Sequence, residues 1–236
     1  MACHATGQAG PIHLTICDDL ILWISKMAVQ FGSEVLDKFL APGISAFNKA
    51  DVPCLDNACP DAEHWISNHF LNSLFGHRYN DDWRQVTVTF IFRVQNALRA
   101  YRIARLKTLE CVRGFQPGRP QSNLYFEAVS QWEAALLNIQ IALDLFLKVM
   151  DPSAVETDDA MRIRRTAARI KHFAEDIVTG KNKPELTLPM WLASDRLITR
   201  TSYVTFEELA ENLTEMGLAA EIMQNPGQIS KVTSAD

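Results

Sequence analysis

Gln85-Val86-Thr87-Val88-Thr89-Phe90-Ile91-Phe92 is the stretch on which the fold class turns. It is β-branched and partly alternating, and taken alone it is a strand. Nothing breaks the chain between it and the helical pattern of 96–109. That continuity predicts one long helix over 81–112, ahead of Gly114 and Pro117.

On its C-terminal side, Phe126, Val129, Trp132, Leu136, Ile139, Leu143 and Phe146 recur at helical spacing and predict a helix over 122–150, ended by Pro152. A further helix is predicted over 157–178, closed by Gly180. On the N-terminal side, residues 1–14 read as a loose end. Leu20, Trp23, Ile24, Met27, Phe31, Val35, Leu36 and Phe39 then predict an amphipathic helix over 18–40, stopped by Pro42-Gly43. Residues 42–60 are turn-rich, and a shorter helix is expected from Asp61 to near Gly76.

Residues 181–204 differ in character. Pro184 and Pro189 punctuate them, and 197–204 has strand-like composition. Thr205 and Glu208 form a Thr-x-x-Glu capping box that opens the last helix, to about Met223. The expected fold is therefore all-α. It is an antiparallel bundle of long helices whose core comes mainly from the three longest, with a small irregular or β-hairpin appendix near 185–204. Residues 1–80 are expected as an N-terminal helical segment packed on the core, and 81–236 as the bundle.

Composition bounds the function without choosing it. The 236 residues are 47% hydrophobic and 22% charged. That excludes a disordered chain, a collagen-like chain and a disulfide miniprotein. The net charge of −5 argues against a globally cationic nucleic-acid binder but permits a local basic stripe. Cys3, Cys17, Cys54, Cys59 and Cys111 are odd in number and widely scattered, which predicts reduced thiols and a cytoplasmic protein. The first 25 residues do not read as a signal peptide, and Leu20–Ile24 is too short to span a bilayer. No membrane partner is expected.

Three groups of side chains suggest chemistry. Cys54, Cys59, His64 and His69 are all zinc-ligand types, each five residues after the last. Zinc sites use two short ligand pairs around a long spacer, and on one helix His64 and His69 would sit about 140° apart. No metal is expected, and the four read as loop cysteines and surface histidines. Arg99, Arg102 and Arg105 form a stripe on the long helix. Such a stripe either tracks a phosphate backbone or is a solvated face paired with carboxylates.

The third group lies on the helix over 157–178. Ile163, Ala167, Ile170, Ala174 and Ile177 gather on one face and predict the core stripe. His172 lies nearly opposite, in line with Arg165, and Arg169 and Asp176 flank it one turn before and after. Cations can hold a phosphate there while a histidine moves a proton. The alternative is a solvated face of Arg/Asp pairs.

An arginine followed by a histidine after four to six intervening residues resembles the HEPN superfamily of small helical proteins; Arg165 and His172 have six between them. Arg169-Ile170-Lys171-His172-Phe173, Pro189-Met190-Trp191-Leu192 and Val204-Thr205-Phe206-Glu207-Glu208-Leu209 are similar to bacterial HEPN-like proteins of this length, over roughly residues 120–223. Thr166 stands where many members have Asn, and Ala174 where many have Tyr. The resemblance implies a metal-independent, cofactor-free endoribonuclease of the toxin or phage-defence kind. It would act as a homodimer on RNA, with an antitoxin or defence-system subunit as partner. His172 would act at the ribose 2′-hydroxyl and Arg165 on the charged phosphorane. Arg162, Arg169 and Lys171 would bind substrate, with Asp176 in support. Other members of the superfamily have lost the chemistry, so the resemblance equally implies a non-catalytic dimerisation or partner-binding module.

Overall fold

Val88 and Phe92 are 37% and 48% exposed, whereas Thr87, Phe90, Ile91 and Val94 are at most 1% exposed. A strand would put Val88, Phe90 and Phe92 on one face. The observed period is helical, and it continues through Ala97, Leu98, Tyr101, Ala104, Thr108 and Cys111, all buried. Burial of a helical stripe overrides the β-propensity of the individual residues. The result is a single 33-residue helix, α3 (Asp81–Arg113).

The computed structural model describes residues 32–75, 81–116, 119, 121–181 and 187–225. Cys3, Cys17, the predicted helix before residue 32 and the helix end near Gly76 lie outside them. Among the described residues, two α-helices precede α3: α1 (Ser33–Phe39) and α2 (Trp65–Phe75). After it come α4 (Ser122–Leu145), α5 (Asp158–Val178) and α6 (Phe206–Met223). The predicted 122–150 helix changes to a π-turn over Phe146–Met150. The all-α bundle with a small β appendix is as expected.

α3 and α4 run antiparallel, as their cross-links show. Trp132 Nε1 donates to Thr108 Oγ1 at 3.0 Å, Arg93 Nη1 donates to Asn138 Oδ1 at 3.1 Å, and Phe90 meets Phe146 with ring centroids 6.4 Å apart. Positions late in α3 thus meet positions early in α4, and the reverse. Tyr101 and Phe206 pack on Trp132 at centroid distances of 5.0 and 4.9 Å, which brings α6 onto the same pair.

The appendix is a three-stranded antiparallel meander rather than one hairpin: β1 (Met190–Leu192), β2 (Arg196–Thr199) and β3 (Tyr203–Thr205). Leu197 pairs with Leu192 on one side and Val204 on the other. These three side chains are buried, so one sheet face packs on the helices. Leu192 N–H donates to the buried Tyr125 hydroxyl at 2.9 Å, which ties the sheet to α4.

The arginine stripe of α3 is in part the expected face paired with carboxylates, since Arg102 Nε lies 3.9 Å from Asp56 Oδ1, but it does more. Arg102 donates to Cys59 O at 2.7 Å and Arg105 to Val52 O at 3.0 Å, beside a 2.9 Å bond from Tyr101 Oη to Pro53 O. These bonds satisfy carbonyls of the connection before α2; only Arg99 stays fully on the surface. Cys59 is buried against α6, and a Cβ on Gly217 would lie 2.4 Å from its Sγ. His69 is also buried, correcting its expected place on the surface, with Nδ1 3.3 Å from Met223 O. Asn72 donates to Gln224 O at 2.9 Å, so α2 holds the C-terminal end of α6.

Gly217→Ala gains some helix propensity but forces a methyl into Cys59, with Trp65 behind it. The expected net loss is about 1–3 kcal/mol by denaturant titration, and Cys59→Ala in the same chain should recover part of it. A second expectation concerns pH. Burial lowers the His69 pKa below its ordinary value. As pH falls through the ordinary histidine range, the unfolded chain takes up a proton that folded His69 refuses, so stability drops. A His69→Gln chain should show a shallower decline between about pH 7 and 5.5; equal slopes would remove His69 as the cause.

Candidate functional site

α5 starts where Thr157 Oγ1 accepts from the Ala160 N–H at 3.2 Å, with Asp158 and Asp159 in its first turn. Its four arginines then divide into two kinds. Arg162 pairs with Asp159 and, at 2.7 Å, with Glu208 of α6. Arg164 pairs with Asp144 of α4 at 2.8 Å and with Glu156 at 2.7 Å. Both are paired with carboxylates and anchor the helix. Arg165 and Arg169 are exposed and have no ion-pair partner among the described residues.

Glu208 receives more than Arg162. Its carboxylate accepts from the Thr205 N–H at 3.0 Å, and Thr205 Oγ1 accepts from the Glu208 N–H at 3.1 Å, completing the expected capping box. Burial alone would push the Glu208 carboxyl up, but the Thr205 N–H and Arg162 outweigh it and hold it below its usual range.

Arg165, Arg169 and His172 line one open groove of about 360 Å³ together with Ala168, Thr201 and Ser202. The far wall is the β2–β3 turn. Thr166, next to Arg165, is fully buried, and its Oγ1 lies 2.9 Å from Ser202 Oγ. That hydroxyl pair locks the turn against α5. Thr199 N–H donates to Ser202 O at 2.8 Å and closes the turn itself. His172 Nδ1 lies 3.1 Å from Glu175 Oε2. Its carboxylate neighbour is therefore Glu175, three residues on, and not the expected Asp176.

A second groove of about 440 Å³ adjoins the first, sharing Arg169 and Thr201. It adds Phe173, Asp176, Lys181 and Arg200, with Leu188 and Pro189. An Arg200 guanidinium N–H donates to the Lys181 carbonyl, so the turn also touches the end of α5. Four cations thus gather along the two grooves in a chain of net charge −5.

The expected site residues are placed unequally. Arg165, Arg169 and His172 come together, and Asp176 lies one groove away. Lys171 is exposed and lines neither groove. Arg162 also lines neither, because its guanidinium is spent on Asp159 and Glu208. Glu175, Lys181, Arg200 and Thr201 are not among the expected residues. The stretch Thr199-Arg200-Thr201-Ser202 has strand composition, and only a turn placed in it brings Arg200 and Thr201 toward the helix.

The predicted core stripe of α5 needs correction as well. Ile163 and Ala167 are fully buried and Ile170 packs partly on the core, but Ala174 is exposed and Ile177 is 55% exposed. On this side the last turns of the helix are exposed rather than packed in the core. Among the described residues, no group of three metal-ligating side chains is close enough to hold an ion; Cys54 is exposed with its thiol 3.2 Å from Asp56 Oδ2, away from buried His69. No described helix is long and apolar enough to cross a membrane. Compared with known proteins, the chain matches no family model, no curated protein and no solved structure.

The division of the arginines is testable by stability alone. Arg164→Ala leaves Glu156 without its cation and Asp144 with Lys148 alone, and should cost about 1–2 kcal/mol. Arg165→Ala and Arg169→Ala should stay within roughly 0.5 kcal/mol of the parent chain. Equal thermal shifts across the three variants would contradict the assignment.

Proposed function

We propose that this chain is a HEPN-like endoribonuclease that works as a homodimer, with Arg165 and His172 carrying phosphodiester cleavage and Arg169 binding the phosphate. One observation supports this above others: two arginines without carboxylate partners and a histidine line a single groove. On a straight helix Arg165 and His172 are about 10.5 Å apart along the axis. Arg169 lies between them, so one phosphate can be reached from both ends.

The chemistry is internal transesterification. When Nδ1–H of His172 donates to Glu175, Nε2 keeps its lone pair and can take the ribose 2′-hydroxyl proton. The 2′-oxygen attacks phosphorus, a new P–O2′ bond forms and the P–O5′ bond breaks. The 5′-oxygen leaves with a proton from water or from the second protomer's site, and the RNA ends in a 2′,3′-cyclic phosphate. Arg165 and Arg169 neutralise the charge that builds on the phosphorane. The toxin or phage-defence setting, with an antitoxin or defence subunit as partner, rests on the resemblance alone. A cytoplasmic location is in keeping with Cys54, Cys59 and Cys111 as free thiols.

A non-catalytic partner-binding module is the second reading. Its support is the exposed end of α5, where Ile177 and Val178 are 55% and 87% exposed. The two readings separate on a gel. In the first, RNA is cut in the presence of EDTA, His172→Ala lowers the rate by ~10²–10⁴-fold, and its melting temperature stays near that of the parent. Arg165→Lys should restore little of the loss seen in Arg165→Ala, because an ammonium lacks the planar two-pronged contact. Undiminished cleavage by His172→Ala would discard the mechanism and leave the binding module.

A further inference from the structure

We infer that the second groove is a subsite for an unstacked base and its neighbouring phosphate, that the substrate is accordingly single-stranded RNA, and that guanine is the base it prefers. This rests on the ribonuclease reading above and extends it to the choice of substrate.

The groove is built differently from its neighbour. Its lining combines the half-buried Phe173 ring with Leu188 and Pro189, an apolar surface that a phosphate does not need. Aromatic rings beside cations are how single strands are held: the base stacks and the backbone follows the charge. Arg200 and Lys181 supply that charge. Arg169 lines both grooves, so a chain can pass from one phosphate to the next without leaving a cation.

Asp176 sets the preference. It is half-buried, lines the groove among three cations, and has no hydrogen-bond or ion-pair partner for its carboxylate among the described residues. A carboxylate there repels phosphate, so it suits an N–H donor instead. Guanine offers two adjacent donors, N1–H and the 2-amino group, which one carboxylate accepts together. Uracil offers a single N3–H between two carbonyl oxygens that the carboxylate repels. A base in a duplex cannot present this edge or reach Phe173.

The test is fluorescence anisotropy with the full chain carrying His172→Ala to prevent cleavage. The probes are an eight-nucleotide oligouridylate, the same strand with one central guanosine, and a duplex of equal length. The single guanosine should tighten binding about tenfold and the duplex should bind more weakly than either strand. Asp176→Asn should abolish most of the guanosine advantage while leaving the all-uridine strand bound equally or more tightly. Phe173→Ala should weaken both strands about tenfold, and Phe173→Tyr should retain binding, which separates a lost stacking surface from a misfolded chain. Arg200→Ala should weaken both strands alike and flatten their salt dependence. Equal binding of the two strands, or a duplex bound as tightly, would overturn the subsite. If in addition Arg165→Ala still weakens binding, the ribonuclease reading survives that failure. No measurable binding of any RNA would overturn both.

Discussion

The packing around Trp132 is the contact from which the rest of the molecule is set. Its indole lies between Tyr101 of α3 and Phe206 of α6, and its N–H is satisfied by Thr108 rather than left bare in the core. Phe206 is the first residue of α6, directly after β3. Fixing that one ring therefore fixes both where the sheet ends and where α6 begins. Two residues on, Glu208 caps α6 and reaches across to Arg162. Core packing, helix capping and the seating of α5 are successive links of one chain of contacts. The groove stands at its end.

α5 uses one residue type for two opposite purposes. Arg162 and Arg164 are placed where Asp144, Glu156, Asp159 and Glu208 converge, and each such pair gains by being partly shielded from water. One residue past Arg164 the helix has turned by about 100°, and Arg165 emerges on the side facing the β2–β3 turn. The neighbouring Thr166 is the pivot. It is buried and bonded to Ser202, so the turn cannot drift from the helix that bears the arginines. The hydrogen bond of His172 is separate from this join and goes to Glu175.

How much of this is legible in the sequence depends on whether the decisive interaction is local. The helices are, because their apolar period runs over many turns, and even Gln85–Phe92 yields to continuity with the helical run that begins at Asn96. The capping box is, because both partners lie within four residues. The pairing of Arg165 with His172 on one face is also a property of a single helix. The fate of Arg162 is not, since its second carboxylate comes from 46 residues away. Nor is the role of Arg200, which depends on a turn inside a strand-like run docking on a distant helix. His69 misleads for the same reason: it has the spacing of a surface residue, but the end of α6 covers it. Periodicity predicts which face a helix buries, but it cannot tell how far along the helix a neighbour extends, and so it places Ala174 and Ile177 in a core that stops short of them.

On the reading proposed above, the charge distribution bears on how the groove would recognise an anion. A chain of net charge −5 carries Arg165, Arg169, Lys181 and Arg200 along two joined grooves. At physiological ionic strength a charge is felt over about 8 Å, so the distant carboxylates hardly weaken the groove itself. On the ribonuclease reading proposed above, affinity for an anion would be concentrated there, and the asymmetry between a groove with a histidine and a groove with an aromatic ring would set the orientation of the strand. The line between α5 and the β2–β3 turn, where these cations gather, is also the line on which His172 lies.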